Sequence, residues 1–187
     1  MTGVTNFASA GQGLAAAVLN AISDPADALR LLASLATPAA VLPTPAGAVG
    51  TAMATMQSGV GDLFRRAAVA ALARASAKYQ PNSFDDAVSV RATVCAFLDA
   101  EILIAGNQGE DATYTALRAL RAAVVNDLTT RGAVLATLST VHTSAPIPAP
   151  VLALRLYRDP TRADELVTEA DPIHPAFMPT SFKALSQ

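Results

Sequence analysis

The sequence predicts a mainly α protein: a helical bundle followed by a small α+β module in the order strand, helix, helix, extended segment. Three observations carry this expectation. Up to Gly132, apolar residues recur at three- and four-residue steps in alanine-rich stretches. Helix start and stop signals bracket those stretches. After Gly132 the texture changes to a Thr/Ser-rich run and then to short segments divided by prolines.

Taken in order, Phe7 to Ile22 is helix-prone with weak patterning. "SDPADALRLLASLA" is a better helix: Asp24 suits the cap, Pro25 the first helical position, and Asp27 the first turn. "TPAAVLPTPAGAVG" carries three prolines and reads as a linker. From Thr51 to about Tyr79 a stripe of Met53, Met56, Val60, Phe64, Ala67 and Leu72 predicts a long helix, with Gly59 and Gly61 weakening or kinking its middle. Ser83, with Asp86 three residues on, starts a second long helix that runs to about Ile104. After the turn "AGNQGED", a third helix with Leu117, Leu120, Val124 and Leu128 runs to about Arg131, and Gly132 suits its stop. Short connections between long helices indicate an antiparallel bundle. In the remainder, "LATLSTVHT" reads as a strand, "SAPIPAP" as a hinge and "VLALRLY" as a short helix. "DPTRADELV" reads as a second short helix capped by Asp159, and "DPIHPAFMP" as extended chain. The expected division is residues 1–50 for N-terminal helices and linker, 51–132 for the bundle, and 133–187 for the module.

Composition narrows the function. The 187 residues are 52% hydrophobic and only 15% charged, with much of the apolar share in alanine. Alanine buries little area, so such helices either pack closely or bury more surface against other chains, which implies homo-oligomerisation. A net charge of -2, with Arg65-Arg66 as the only adjacent basic pair in the bundle stretch, argues against nucleic-acid binding. No Lys or Arg precedes the first apolar stretch, so a secretory signal is not expected. No apolar run is long enough for a membrane span, and an intracellular site of synthesis is expected. Cys95 sits in an apolar helical pattern and reads as a buried thiol.

Catalysis and cofactors find no support. One cysteine and two separated histidines, His142 and His174, offer no metal-ligand spacing. His142 reads as a polar strand residue, and His174 as a turn-former bonding through its ring. Asp85-Asp86 reads as first-turn capping. Glu101, beside Ile102 and near Leu98, reads as a side chain reaching out from the edge of an apolar face. Arg118, Arg121 and Arg131 read as a solvated face paired with Asp127 and Glu110. No catalytic, cofactor-binding or metal residue is assigned, and the chain reads as a non-enzyme.

The C-terminal stretch carries a resemblance. "PAPVLALRLYRDPTRADELV" and "IHPAFMP" resemble the C-terminal part of the Mu-like phage DNA circularisation protein family, a tail and baseplate component. The matching residues are Arg155-Leu156-Tyr157, Asp159, Arg162 to Val167, and Ile173 to Pro179. "FLDAEILIAGNQGEDATYTALRALRAAVVNDLTTRG" is similar to the helical region before it. The chain departs from the pattern at Glu169-Ala170-Asp171, where the family has an Asn, and at the His-Pro step, where Ile173 directly precedes His174. The family's longer N-terminal region has no counterpart. The same stretch also resembles a LysM-type module, whose order is strand, helix, helix, strand. These resemblances imply a phage or prophage virion protein, made in the bacterial cytoplasm and placed in the tail. Its partners would be other tail or baseplate proteins, with peptidoglycan as the alternative. The residues expected at a docking surface are Leu154, Tyr157, Asp164, Glu165, Ile173, His174 and Phe177. Tyr157 and Phe177, with Leu156, are at the same time expected to fill the core of the module.

Overall fold

The structure is a computed structural model that describes residues 2–37 and 47–186, with side chains from residue 5 onward. Most of the expected proline linker, residues 38–46, lies outside the described residues. Helices α1 (Thr2–Ala21), α2 (Pro25–Ala36), α3 (Gly47–Lys78), α4 (Phe84–Asn107) and α5 (Asp111–Gly132) come first. Strand β1 (Leu138–His142), α6 (Ala149–Tyr157), a 3-10 turn (Pro160–Arg162), α7 (Ala163–Ala170) and β2 (Ser181–Leu185) follow. The protein is therefore mainly helical, with a two-stranded sheet near the C-terminus.

The chain forms two compact units, Met1–Gln80 with Ser89–Thr130, and Pro81–Val88 with Arg131–Gln187. The first holds α1 and α2, which the sequence reading set apart from the bundle, together with α3 and most of α4 and α5. Asp24 starts α2 as expected, its carboxylate accepting from the Ala26 N–H at 2.9 Å with Pro25 behind it. The core is built from small and medium side chains: Leu32, Ala68, Val69, Leu72, Ala75, Val94, Leu98 and Leu128. α1 lies parallel to α3. The Phe7 ring meets Phe64 edge-on at 6.2 Å, and Leu19 shares a pocket with Ala75. Gly11 allows this approach, because a Cβ there would stand 3.2 Å from Leu63.

α3 departs from expectation in its first half. It is one continuous helix through Gly59 and Gly61. The expected stripe does not face the core there: Met53 and Met56 are 56% and 70% exposed, and the buried residues begin at Ala68.

Charge organises the middle of this unit. Glu101 is 1% exposed, so it does not reach out to solvent. It accepts from Arg65 Nε at 2.5 Å and from Arg66 Nε at 2.8 Å. Arg65 also reaches Asp62 at 2.8 Å. Arg66 donates to Glu110 at 2.5 Å and to the Gln108 side chain at 2.5 Å. Bonding to Glu101 is the largest influence raising the Arg65 pKa, with Asp62 adding to it. The acids stand at Asp62 on α3, at Glu101 on α4, and at Glu110 just before α5. The pair therefore ties three helices in one register. Gly109, with φ of 70°, makes the turn between α4 and α5 that brings Glu110 into place. Arg121 is paired with Asp99 at 2.5 and 3.0 Å rather than with Asp127 or Glu110, and Arg118 stacks 5.6 Å over Tyr114.

The second unit starts before α4. The Ser83 hydroxyl accepts from the Asp86 N–H, and the Asp86 carboxylate accepts from the Asn82 N–H. Asp85 accepts from the Leu138 N–H at 2.7 Å, and the Phe84 N–H donates to the Ala136 carbonyl at 2.9 Å. The expected capping carboxylates thus also fix the entry to β1. Gly132 does not act as a left-handed stop, since the positive-φ glycines among the described residues are Gly47 and Gly109. Its role is space: a Cβ at Gly132 would stand 2.8 Å from the Ala87 Cβ.

β1 and β2 pair antiparallel, Leu138 opposite Leu185 and His142 opposite Ser181. The expected closing extended segment is in fact a loop over residues 171–180, and the second strand follows it. "SAPIPAP" is not a hinge. Within this unit the Thr143 N–H bonds to the Thr180 carbonyl, the Ala149 N–H to the Pro175 carbonyl, and the Met178 N–H to the Ile147 carbonyl.

Two stability predictions follow from these contacts. Gly132→Ala should destabilise the chain by about 1–3 kcal/mol in denaturant unfolding, and adding Ala87→Gly should restore most of the loss. Glu101→Gln should cost about 3 kcal/mol, the lower end for breaking a buried ion pair because both arginines keep some solvent contact. Glu101→Asp should give an intermediate loss.

Candidate docking surface

The C-terminal unit has a small core of Ala149, Leu152, Ala153, Leu166, Met178, Phe182 and Ala184. α6 supplies Leu152 and Ala153 on one face. On its other face, Val151 and Leu154 point to solvent. β2 alternates, with Phe182 and Ala184 inward and Lys183 outward. The core therefore closes without Phe177. That ring is 70% exposed, and its neighbour Met178 takes the buried place at 0%. The expectation that Phe177 fills the core fails because Met178, whose N–H is bound by Ile147, is the residue turned inward. Leu156 packs against the core and is partly buried.

The loop that carries Phe177 is rigid for local reasons. Pro175 presets the second position of a turn closed by the Phe177 N–H on the His174 carbonyl at 2.9 Å. The His174 ring accepts from the Ala176 N–H through Nδ1 at 3.1 Å, the turn-forming role read from the sequence. The His174 and Phe177 rings lie 6.1 Å apart. Ile173, just ahead of the turn, is fully exposed. The Ala149–Pro175 bond ties this loop to the start of α6. A stiff turn thus presents Ile173, His174 and Phe177 to solvent.

The other expected site residues form a different cluster. Asp159 accepts from the Thr161 hydroxyl and N–H at 2.6 and 2.9 Å, and these bonds hold its carboxyl below the usual range. Arg162 lies 4.0 Å over the Tyr157 ring and pairs with Glu165 at 2.7 Å. The Glu165 bond leads the influences that raise the Arg162 pKa. Burial pushes the Tyr157 phenol up. Tyr157 and Glu165 are thereby engaged in holding α6 to α7, and Asp164 is exposed in the first turn of α7. Leu154 belongs to the exposed face of α6, and sequence reasoning missed its companion Val151. The i, i+3 spacing of these two around buried Leu152 and Ala153 was the available signal. Arg162 was also missed as the cation stacked on Tyr157.

Among the described residues, no group of three or more His, Cys, Asp or Glu side chains could hold a metal ion. Cys95 is buried, and burial is the largest cause raising its thiol pKa. No helix among the described residues is long and apolar enough to cross a membrane.

The burial pattern predicts opposite outcomes for neighbouring residues. Leu166→Ala and Met178→Ala should each cost about 2–5 kcal/mol, and limited proteolysis should cut the C-terminal unit. Phe177→Ala and Ile173→Ala should change stability by about 0.5 kcal/mol or less.

No protein-family model matches the chain, and no curated protein matches it in sequence.

Proposed function

We propose that the chain is a non-enzymatic structural component of a phage tail or baseplate, and that its C-terminal unit docks onto a neighbouring tail protein. The observation that carries this reading is the rigid turn presenting Ile173 and Phe177 to solvent. Large apolar side chains held in one geometry suit an interface, because little side-chain entropy is lost when they are covered. The resemblance of Arg155 to Pro179 to the Mu-like phage circularisation family supplies the setting: assembly in the bacterial cytoplasm and residence in the virion tail. The low charge and exposed apolar helices support self-association of the body as well.

A second reading follows from one observation. The order β1, α6, α7, β2 is the order of a LysM-type module, and some such modules bind peptidoglycan. Tail docking is favoured because the large exposed side chains of the turn, Ile173 and Phe177, are aliphatic and aromatic, with no amide or carboxylate among Ile173–Phe177.

The test separates the two. Ile173→Asp combined with Phe177→Asp should leave melting of the isolated chain unchanged and exclude it from assembled particles. The intact chain should stay in the supernatant with insoluble peptidoglycan. Pelleting with peptidoglycan, together with normal incorporation of the double variant, would defeat the docking reading.

A further inference from the structure

α3 extends beyond the helices that cover it. α2 ends beside Arg65 and Val69. Gln108, just past α4, donates to Asp62 at 2.8 Å. α1 begins little more than one turn before its Phe7–Phe64 contact. From Gly47 to Ser58 no residue of α3 is buried. Nothing in this stretch, or on to Gly61, is charged. Val49, Met53 and Met56 form an exposed stripe at four- and three-residue spacing, with Val49 75% exposed. An uncharged helical end interrupted by Gly50, Gly59 and Gly61 gains little stability from propensity, and most helical stability comes from packing. Such a segment fits a covered state.

The same unit carries a groove with no occupant among the described residues. α3 from Gly59 to Arg74 is its floor, and α1 and α5 are its walls, through Ala15 and Ala116 among others. Its volume is about 840 Å³. Ala67 and Ala70 on the floor let a helix approach to ~8 Å between axes. Toward Gly59 the charges along the groove are matched from within, Arg66 to Glu110 and Asp62 to Arg65 and Gln108, while Arg74 lines its far end. The floor spans about 22 Å and the uncovered end of α3 about 17 Å, at 1.5 Å per residue. An uncharged apolar helix end that fits within the floor, short of Arg74, and an alanine-lined groove with paired charges at that end are complementary.

We infer that the N-terminal end of α3, Gly47–Ser58, occupies this groove on a second copy of the chain. This deepens the self-association reading above and rests on it. A symmetric contact of stripe on stripe would cover only three large side chains per copy, short of the ~1,200–2,000 Å² of a specific interface. Insertion into the groove covers the helix from the floor and both walls. Because each copy offers one helix end and one groove, the contact is completed either by reciprocal exchange in a two-fold pair or head-to-tail in a ring or filament.

The test uses the full chain in analytical ultracentrifugation across a concentration series. The unaltered chain should assemble into dimers or larger species. Met53→Glu with Met56→Glu removes the insert, and Ala116→Trp fills the groove at an exposed position. Each variant alone should be monomeric with unchanged helicity. Mixed in equal amounts, they should form a one-to-one dimer and stop there. Gln12→Trp, at an exposed position on the opposite wall, should behave as Ala116→Trp does. If the groove variants still assemble, or if the mixture stays monomeric, the inference is wrong. A monomeric unaltered chain would also overturn it, while leaving the docking role of Ile173 and Phe177 to its own test.

Discussion

Glu101 is the constraint on which the helical unit depends. A carboxylate withdrawn from water is tolerated only where donors replace its hydration. Here two adjacent arginines of α3 do so, and both guanidinium groups continue to further acids. Alanine-rich faces slide past one another at little cost, because neighbouring alanines present similar surfaces. The ion network removes that freedom, since a shift of one helical turn would strand the buried carboxylate. Burying charge adds little net stability but fixes one register of α3, α4 and the start of α5.

Fixing register by charge has a consequence for surface. The strongest cations and anions of the unit's centre are turned toward each other, so they do not decorate its exterior. What remains outside is unusually apolar: Val49, Met53 and Met56 on α3, and Leu14 on α1. In the C-terminal unit the same outcome has another cause. Its core is so small that Met178, Phe182 and Leu166 fill it, leaving Ile173 and Phe177 outside. Both units therefore hold large apolar side chains in defined positions against water. Surfaces of this kind are favoured where a partner covers them.

Much of this was legible in the sequence. Asp24-Pro25, Ser83 with Asp86, and Asp159-Pro160 marked helix starts because capping chemistry is local. The stripe Leu117, Val124 and Leu128 located the buried face of α5. The stripe Met53, Met56 and Val60 had the same period and misled, since periodicity reports a face but not whether anything covers it. Gly132 was read as a stop although its reason is the Ala87 side chain, a contact 45 positions away in the chain. Glu101 is a carboxylate in an apolar pattern and needs a partner, and Arg65-Arg66 is an adjacent basic pair in the sequence. Their meeting depends on how α3 and α4 cross, which no local pattern encodes. β2 was missed because "SFKAL" is short, although its alternation of Phe182 and Ala184 with Lys183 was present. At the docking surface, the structure exposes Ile173 and gives His174 its expected turn bond; of the two places expected for Phe177 it takes the exposed one, and Met178, for which the sequence carries no expectation, fills the core.

The central claim is that the uncovered apolar segments of both units are contact surfaces in the working state. Hydrogen exchange on the backbone amides, compared between dilute chain and assembled particles, tests it most directly. Residues 47–58 and the amides of Ile173 and His174 should exchange quickly in dilute solution and become strongly protected on assembly, while amides around Glu101 and the Met178 amide bound to Ile147 stay protected in both. If the two segments exchange equally fast in both states, they are ordinary exposed surface, and the account of this protein as an assembly component is contradicted.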